Sequence, residues 1–282
     1  MVGKNKGIAV FRKTVYAYYH GNMRSLPWRK TRDPYHILVS EVMLQQTQVE
    51  RVIGKYLQFI KTFPDFSSLA QASLSDVLNT WQGLGYNRRA IALKAIAGIV
   101  IEKYKGKLPE LPEELAKLPG IGKYTSAAIS AFAFHRQAVF IETNIRRVFL
   151  HFFFPERENV RDSEILMLIE KTMDRENPGE WYYALMDYGV MLKKSYENPN
   201  RRSAHYRKQD PFHGSNRQAR GKILKLVLEK REITQEEITA ELAAPSERTG
   251  NALKQLVQEG FLKKRGKRYS IQERKDRGYD GQ

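Results

Sequence analysis

The sequence contains no cysteine in its 282 residues. This absence excludes disulfide bonds, thiolate metal sites, cysteine-ligated iron–sulfur clusters and cysteine nucleophiles. Its six histidines are scattered without the short spacing of a zinc site, which argues against a zinc hydrolase. No apolar run approaches the length of a membrane span and no signal peptide is recognisable, so we expect a cytoplasmic protein.

Acidic residues are few relative to basic ones. The chain has 31 Asp and Glu against 48 Lys and Arg, a net charge of +17. Such an excess predicts a polyanionic partner, for which nucleic acid is the commonest choice and an anionic membrane surface the alternative. The length allows two or three domains, and 41% hydrophobic residues suffice for real cores.

Most segments are predicted to be helical, because apolar residues recur with the helical period and hairpin signals are rare. A long helix is predicted from Asp33-Pro34 to about Phe63, with a break near Gln48 or Gly54, and residues 162–194 are predicted as one helix. The other helices are predicted at 8–20, 67–72, 74–82, 87–104, from Pro112 to Pro119, from Gly122 to Phe134, and at 143–154.

The C-terminal part has a different pattern. After a polar linker at 195–215, three helices are predicted at 216–230, 235–242 and 246–260, followed by a β-hairpin that turns at Gly266. Three helices and a hairpin predict a winged helix-turn-helix domain over 216–273, and residues 274–282 are expected to be a disordered tail. The predicted fold class is therefore all-α, with this domain appended.

Residues 118–125 read Leu-Pro-Gly-Ile-Gly-Lys-Tyr-Thr between two predicted helices. Gly120 and Gly122 allow a tight turn, and the N–H groups that begin the next helix can then hold a phosphate. An ordinary interhelical turn is the alternative, but the whole string favours a sequence-independent DNA contact. The predicted DNA-binding residues here are Leu118, Gly120, Ile121, Gly122, Lys123 and Thr125.

Two glutamates are candidates for a catalytic pair. Glu41 lies in a largely apolar helical stretch, where burial would raise its pKa and suit it to act as a general acid; a surface position is the alternative. Glu142 follows an apolar run and opens a helix, which favours its ionised form, although helix-start acids are common. Cleavage of a glycosidic bond uses one protonated and one ionised carboxyl group.

Six strings in this order resemble the helix-hairpin-helix-GPD superfamily of DNA glycosylases, and most of all its adenine DNA glycosylase (MutY) family. They are residues 26–29, 32–35, 40–49, 81–86, 118–125 and 184–187, within a matching region of about 8–195. The resemblance implies a two-subdomain core: a six-helix subdomain at 31–142 with the helix-hairpin-helix at about 112–134, and a second at 1–30 and 143–208. Glu41 and Glu142 are expected to face each other in the cleft between them.

The resemblance also implies individual roles. Glu41 would protonate the departing base, Glu142 stands where the family has a cation-stabilising aspartate, and Asn144 would orient water or Glu142. Tyr124 occupies the position of the lysine of strand-nicking relatives, which implies a monofunctional glycosylase. Trp28 and Arg29 would border the base pocket. Further implied DNA contacts are Gln45, Gln46, Gln48 and Tyr86, with Gln46 and Tyr86 as wedges, and the implied cation site is Na⁺ or K⁺ on the main-chain carbonyls of Ala116, Leu118 and Ile121.

The chain departs from the family at several positions. The cluster cysteines are replaced by Lys193 and by residues of 200–209, so this loop is expected to be held by packing and hydrogen bonds. Glu142 replaces aspartate, and Tyr183, a predicted base-pocket residue, stands near the place of a base-reading Glu or Gln. A winged helix replaces the family's NUDIX-like domain. Basic residues expected to contact phosphates are Arg201, Arg202, Arg207, Lys208, Arg248, Lys254, Lys263, Lys264, Arg265, Lys267 and Arg268, with a solvated face as the alternative for those of the winged helix.

Three functions remain open on the sequence. The first is a monofunctional glycosylase that removes adenine opposite 8-oxoguanine or G. The second is a glycosylase for T or U opposite G, which Tyr183 and the absent sensing domain favour. The third is a non-catalytic DNA-binding protein. All three predict salt-sensitive binding to duplex DNA. We expect a monomer that is associated with the nucleoid and requires no cofactor.

Overall fold

A computed structural model describes residues 2–207 and 215–273, with side chains from Gly7 onward. Predictions for Lys208 and for the tail 274–282 lie outside these residues. The helices are α1 (Val2–Asn22), α2 (Pro34–Leu44), α3 (Val49–Thr62), α4 (Phe66–Gln71), α5 (Leu74–Trp81), α6 (Arg88–Tyr104), α7 (Pro112–Leu115), α8 (Lys123–Phe134), α9 (Thr143–Phe153), α10 (Asp162–Thr172), α11 (Pro178–Ser195), α12 (Asn216–Lys230), α13 (Gln235–Leu242) and α14 (Ser246–Gln258). The strands are β1 (Glu232–Thr234), β2 (Leu262–Arg265) and β3 (Arg268–Ile271), and short 3₁₀ helices cover Pro27–Lys30 and Pro199–Arg202.

The helix predicted from Asp33 to Phe63 is broken where expected, since α2 ends at Leu44 and α3 begins after Gln48. The single helix predicted over 162–194 is wrong: α10 ends at Thr172 and α11 starts at Pro178. Proline lacks the N–H needed inside a helix but suits its first turn, so Pro178 opens a new helix. The helix opened by Pro112 is also shorter than predicted.

The chain divides into two compact units. Unit 1 comprises residues 1–42 and 108–208, and unit 2 comprises 43–107 and 209–282. This grouping differs from the predicted boundaries at 31 and 142, because the hairpin segment belongs with the N-terminal helix rather than with residues 43–107.

Unit 1 is built around an aromatic core. Phe11 of α1 packs edge-on against Phe149 of α9, at 5.4 Å between ring centroids, and against Trp181 of α11, at 5.7 Å. All three side chains are almost completely buried. Such contacts between aromatic rings hold the N-terminal helix against α9 and α11.

Unit 2 contains α3–α6, α12–α14 and a three-stranded antiparallel sheet of order β1-β3-β2. The hairpin of β2 and β3 pairs Leu262 with Ile271 and Arg265 with Arg268, so its turn lies at Gly266 and Lys267. The third strand, β1, was not predicted; its buried Ile233 pairs with Tyr269 of β3.

None of the helices in the described ranges is both long enough and apolar enough to cross a membrane.

Candidate active site

Glu41 lies on the third turn of α2. The helix is capped by Asp33, whose carboxylate accepts the N–H groups of Tyr35 at 2.8 Å and His36 at 3.1 Å. Most neighbours of Glu41 in α2 are buried apolar residues, while Glu41 itself keeps partial solvent access. Burial and the charge of Glu142 raise the pKa of Glu41 from 4.5 to about 8, against the opposing charge of Arg29. This carboxyl group is therefore protonated at neutral pH.

Glu142 is the N-cap of α9. Its Oε1 accepts the N–H groups of Asn144 and Ile145, each at 2.8 Å, and its Oε2 accepts the Asn144 amide at 3.2 Å. Burial is the largest effect and raises the pKa of Glu142 above its usual value, although these backbone bonds and the charges of Arg147 and Arg146 oppose it. The hydrogen bonds donated to Glu142 favour its ionised form, and Glu41 accepts none of them. Glu142 is therefore the member of the pair that ionises first. Both carboxyl groups belong to unit 1.

Asn144 is held in turn by Arg147, a buried residue of the same helix. Arg147 donates to the Asn144 side-chain oxygen at 2.7 Å and to the Gly189 carbonyl of α11 at 2.8 Å. A Cβ on Gly189 would lie 2.4 Å from the Asn144 carbonyl oxygen. Helices α9 and α11 can therefore approach this closely only because residue 189 is glycine.

Gly189→Ala is expected to destabilise the fold by about 3 kcal/mol, because the added methyl group meets backbone that cannot move aside. Glu142 and Asn144 would be displaced with α9. Thermal unfolding followed by circular dichroism measures the loss. Gly179→Ala is the matched control in the same helix, where the Cβ finds ordinary contact at 3.4 Å; equal losses in both variants would contradict the expectation.

Arg29, Tyr183 and Asp187 form one cluster. Arg29 donates two bonds of 2.8 Å to the Asp187 carboxylate, and its guanidinium lies 4.4 Å from the centroid of the Tyr183 ring. Arg24 also pairs with Asp187, at 2.5 Å. Burial acts to raise the pKa of Asp187, but the bonds and charges of Arg29 and Arg24 outweigh it and hold that pKa low.

The other face of Tyr183 stacks on Phe132, with the ring centroids 4.4 Å apart. Trp28, next to Arg29 in the 3₁₀ helix, is buried. The Nε atom of Arg29 is also buried and has no hydrogen-bond partner among the described residues. The predicted pocket residues Arg29 and Tyr183 are thus in contact. Asp187 belongs to the string at 184–187, but the sequence did not predict that it would anchor Arg29.

The glycine-rich turn has the predicted form. Gly120 adopts φ +73°, Gly122 caps α8, and Leu118 and Ile121 are buried under the turn. Lys123 and Tyr124 are exposed, Tyr124 by 43%. Arg146 interacts electrostatically with both Tyr124 and Glu142, so these residues share one region of unit 1.

The cation site on the carbonyls of Ala116, Leu118 and Ile121 stays a prediction. The Leu118 carbonyl accepts the N–H of Ile121 at 3.1 Å, which fixes its direction within the turn. Within the described ranges, no group of three or more His, Cys, Asp or Glu side chains is placed to hold a metal ion.

The loops with Gln45–Gln48 and Gly83–Tyr86 are organised by Arg89, a buried residue that sequence reasoning missed. Its guanidinium donates to the carbonyls of Met43 at 2.8 Å, Gln45 at 2.6 Å and Gly85 at 3.0 Å, all within unit 2. Gln46 and Tyr86 both adopt left-handed backbone, with φ of +54° and +48°. Such backbone in non-glycine residues is often found at functional sites.

The loop that lacks the cluster cysteines is held by hydrogen bonds, as expected, over its described part. The buried Asn200 donates to the Thr143 carbonyl at 3.0 Å, and the N–H of Val160 donates to the Arg202 carbonyl at 3.0 Å. The Arg202 side chain binds main-chain carbonyls of Leu150 and Pro155, so it supports the loop rather than projecting towards phosphate. Arg201 pairs with Glu197 at 2.6 Å.

The other basic residues predicted to contact phosphate are at least partly accessible. Lys263 is half-buried, and Arg207, Arg248, Lys254, Lys264, Arg265, Lys267 and Arg268 are exposed. Exposure permits a DNA contact at these positions but does not distinguish it from a solvated face.

Glu41→Gln is expected to be more heat-stable than the wild type above pH 5, by a margin that grows up to about pH 8. A carboxyl group whose folded pKa is raised from 4.5 to about 8 costs the folded state stability as pH rises through that window. Thermal unfolding at pH 4, 6 and 8 measures the difference. Glu113→Gln, on the exposed first turn of α7, is the control and should show no such trend.

A family model described as HhH-GPD superfamily base excision DNA repair protein matches residues 39–171, a region that includes Glu41, the glycine turn and Glu142. Residues 39–171 are therefore similar to this superfamily.

Its curated relatives include adenine DNA glycosylases. One from Buchnera aphidicola subsp. Baizongia pistaciae is 37% identical over 188 residues, 65% of this chain and 53% of that protein. One from Homo sapiens is 34% identical over 197 residues, 66% of this chain and 36% of that protein. The chain thus spans about half, or less, of the length of these relatives.

Among solved structures, a thermostable thymine-DNA glycosylase is 28% identical, with a TM-score of 0.62, and the match covers 70% of this chain and 92% of that one. A trapped endonuclease III–DNA covalent intermediate matches with a TM-score of 0.58 at 19% identity, over 68% of this chain and 89% of that one. The second likeness concerns the fold alone.

Proposed function

We propose that this protein is a monofunctional DNA glycosylase that hydrolyses the N-glycosidic bond of a mispaired base flipped out of duplex DNA. The observation that carries the proposal is the pairing of Glu41, whose pKa is raised to about 8, with Glu142, which accepts three hydrogen bonds and lies near two arginines. One carboxyl group holds a proton at neutral pH and the other ionises, as glycosidic cleavage requires.

In the proposed mechanism, Glu41 donates its proton to a ring nitrogen of the base as the bond from that base to C1′ breaks. The ionised Glu142 stabilises the positive charge that develops on the sugar. Water then adds to C1′ through its oxygen and releases one proton. That proton restores the carboxyl pair to its starting state, in which Glu41 is protonated and Glu142 is ionised. Asn144, which donates to Glu142, keeps that carboxylate in place. Tyr124 has no amine with which to form a Schiff base, so strand cleavage is not expected.

Adenine is the proposed target, because curated relatives from bacteria and mammals are adenine DNA glycosylases. Thymine or uracil opposite G is the second candidate. Tyr183 favours this candidate, because it stands near the position where adenine-specific members of the family are expected to carry Glu or Gln. Its ring lies between Arg29 and Phe132. The likeness to a thymine-DNA glycosylase also favours it.

Single-turnover base release on labelled duplexes tests the proposal. The duplexes carry A opposite 8-oxoguanine, A opposite G, T opposite G, or U opposite G, each analysed with and without alkali. Alkali-dependent cleavage at A is the expected result. Cleavage at T or U would move the target to pyrimidines, and cleavage without alkali would contradict the role assigned to Tyr124.

No release from any duplex with intact DNA binding would favour the third, non-catalytic function. The raised pKa of Glu41 argues against it, because a binding scaffold has no need for an acid that stays protonated at neutral pH. Duplex DNA with a damaged or mispaired base is the proposed partner, bound by a monomer associated with the nucleoid. Residues 215–273 are proposed to be a winged-helix domain that adds duplex affinity.

A further inference from the structure

A cavity of about 940 Å³ lies within unit 2. One wall is α12, the first helix of the C-terminal part. The other is formed by the loops that follow α2 and α5, which carry Gln46 and Tyr86. None of its lining residues is shared with the Glu41–Glu142 site.

The lining is strongly basic. It contains seven Lys and Arg side chains and no Asp or Glu. Glu259, from outside the lining, offsets one of the two charges of Arg88 and Arg220. Arg51 and Arg89 donate to main-chain carbonyls, which do not cancel their charge. Lys222 and Lys225 of α12 are exposed, and Glu229 lies 3.7 Å from Lys225 in an exposed pair that neutralises little. Positive charge therefore remains on both walls of the cavity, with its exposed lysines on α12, and favours an anion.

Polar amides and an aromatic ring accompany these charges. Arg217 of α12 donates to the Tyr86 hydroxyl and lies 5.4 Å from the centroid of its ring, and Gln45, Gln46 and Gln48 line the opposite side. Proteins commonly bind nucleic acid with this combination, in which cationic side chains contact phosphates, and aromatic rings and amides contact bases. The volume is larger than a single inorganic anion needs.

Gly221 leaves the backbone of α12 open to the cavity. It lies within α12 and lines the cavity, and a Cβ there would meet no atom within 4 Å. The helix glycines Gly54 and Gly98 are equally uncrowded but do not line the cavity. A phosphate that approaches the backbone of α12 in the cavity would meet a side chain at this position if residue 221 were not glycine.

Hydrogen bonds and ion pairs also join the C-terminal part to α5 and α6, the helices on either side of Tyr86. Glu273 accepts the N–H groups of Leu74 at 2.8 Å and Ser75 at 3.1 Å, at the start of α5. Glu259 bridges Arg88 and Arg220. These contacts, all inside unit 2, hold α12 as a wall of the cavity.

We propose that this cavity binds the phosphate backbone of DNA, and that the C-terminal part engages DNA through Lys222, Lys225 and Gly221 of α12 rather than through its β-hairpin. The identity of the anion as DNA rests on the proposed function. The hairpin, which sequence reasoning favoured, is the alternative that the experiment must separate.

The test compares two double variants that each remove two exposed lysines, Lys222→Gln/Lys225→Gln on α12 and Lys264→Gln/Lys267→Gln on the hairpin. Duplex affinity is measured by fluorescence anisotropy between about 50 and 200 mM salt. The α12 variant is expected to bind about tenfold more weakly, with a salt slope lower by about one to two, since each lost phosphate contact removes about 0.9. The hairpin variant is expected to stay within about twofold of the wild type.

Gly221→Ala gives a second readout that is independent of charge. It is expected to keep or raise the melting temperature while weakening duplex binding by about threefold or more. Gly54→Ala in α3 is the matched control, because Gly54 is also an exposed helix glycine with nothing within 4 Å of its Cβ and does not line the cavity. It should leave binding unchanged.

Equal losses in both lysine variants, or a loss confined to the hairpin variant, would overturn the proposal, as would unchanged binding by Gly221→Ala. Base release by the wild type is recorded on the same duplexes. If release is absent but the α12 variants weaken binding, the proposed function fails and the α12 site stands. If release is present but these variants bind normally, the α12 site fails and the proposed function stands.

Discussion

Glu41→Gln is expected to lower the single-turnover rate of base release by about 10²- to 10⁴-fold, the contribution typical of a general acid. Glutamine has almost the shape of the protonated acid, so the fold and duplex binding should persist, but it has no proton to give to the departing base. Because the pKa of Glu41 is raised to about 8, the wild-type rate should also fall as pH rises above about 8.

The control is duplex affinity at equal salt, which should agree with the wild type within a few fold. A rate within tenfold of the wild type would show that Glu41 is not the general acid and that its raised pKa has no catalytic role. A rate that does not decline above about pH 8 would contradict Glu41 as the proton donor, whereas a decline at acidic pH reports a group that must be ionised, the role proposed for Glu142.

Glu142→Gln is expected to lower the same rate by about 10²- to 10³-fold, the size of effect found when one electrostatic contact to a transition state is removed. Glutamine keeps an oxygen that can accept the N–H groups of Asn144 and Ile145, so the cap of α9 and the melting temperature should change little. What is lost is the negative charge opposite the developing cation.

Glu142→Asp is the matched comparison, because it keeps both the charge and a residue type that caps helices well. It is expected to retain more base release than Glu142→Gln because the negative charge is kept, although retreat of the carboxylate by roughly 1 Å can lower the rate by up to about 10²-fold. If Glu142→Gln were as active as Glu142→Asp, charge stabilisation by this residue would be excluded, and the helix cap would be its whole role.

The two carboxyl groups could be predicted from the sequence because local patterns mark them. Glu41 interrupts an apolar helical stretch, and Glu142 stands immediately before a helix, so burial of one and capping by the other follow from neighbours along the chain. The glycine turn at 118–125 was predictable for the same reason: its geometry is set by Gly120, Gly122 and the helix that follows.

Contacts between distant segments could not be predicted in this way. Asp187 is held by Arg29, 158 positions away, and Arg89 fixes the loop at Gln45, 44 positions away. No periodicity in the sequence relates such pairs, because their approach depends on how helices pack. The break between α10 and α11 was missed although Pro178 marks it, and β1 was missed because a strand of three residues is too short to show a period.

The sequence by itself determined the mostly helical class of fold, the candidate carboxyl pair, the glycine turn at 118–125 and the exclusion of a cysteine-ligated cluster, since each depends on residue type and local spacing. Only the tertiary structure showed that the raised pKa of Glu41 depends on Glu142 and Arg29, which come from other segments. It alone also placed α12 beside the loops of Gln46 and Tyr86. Electrostatic and packing effects act through space, and the chain's order along the sequence does not record those distances.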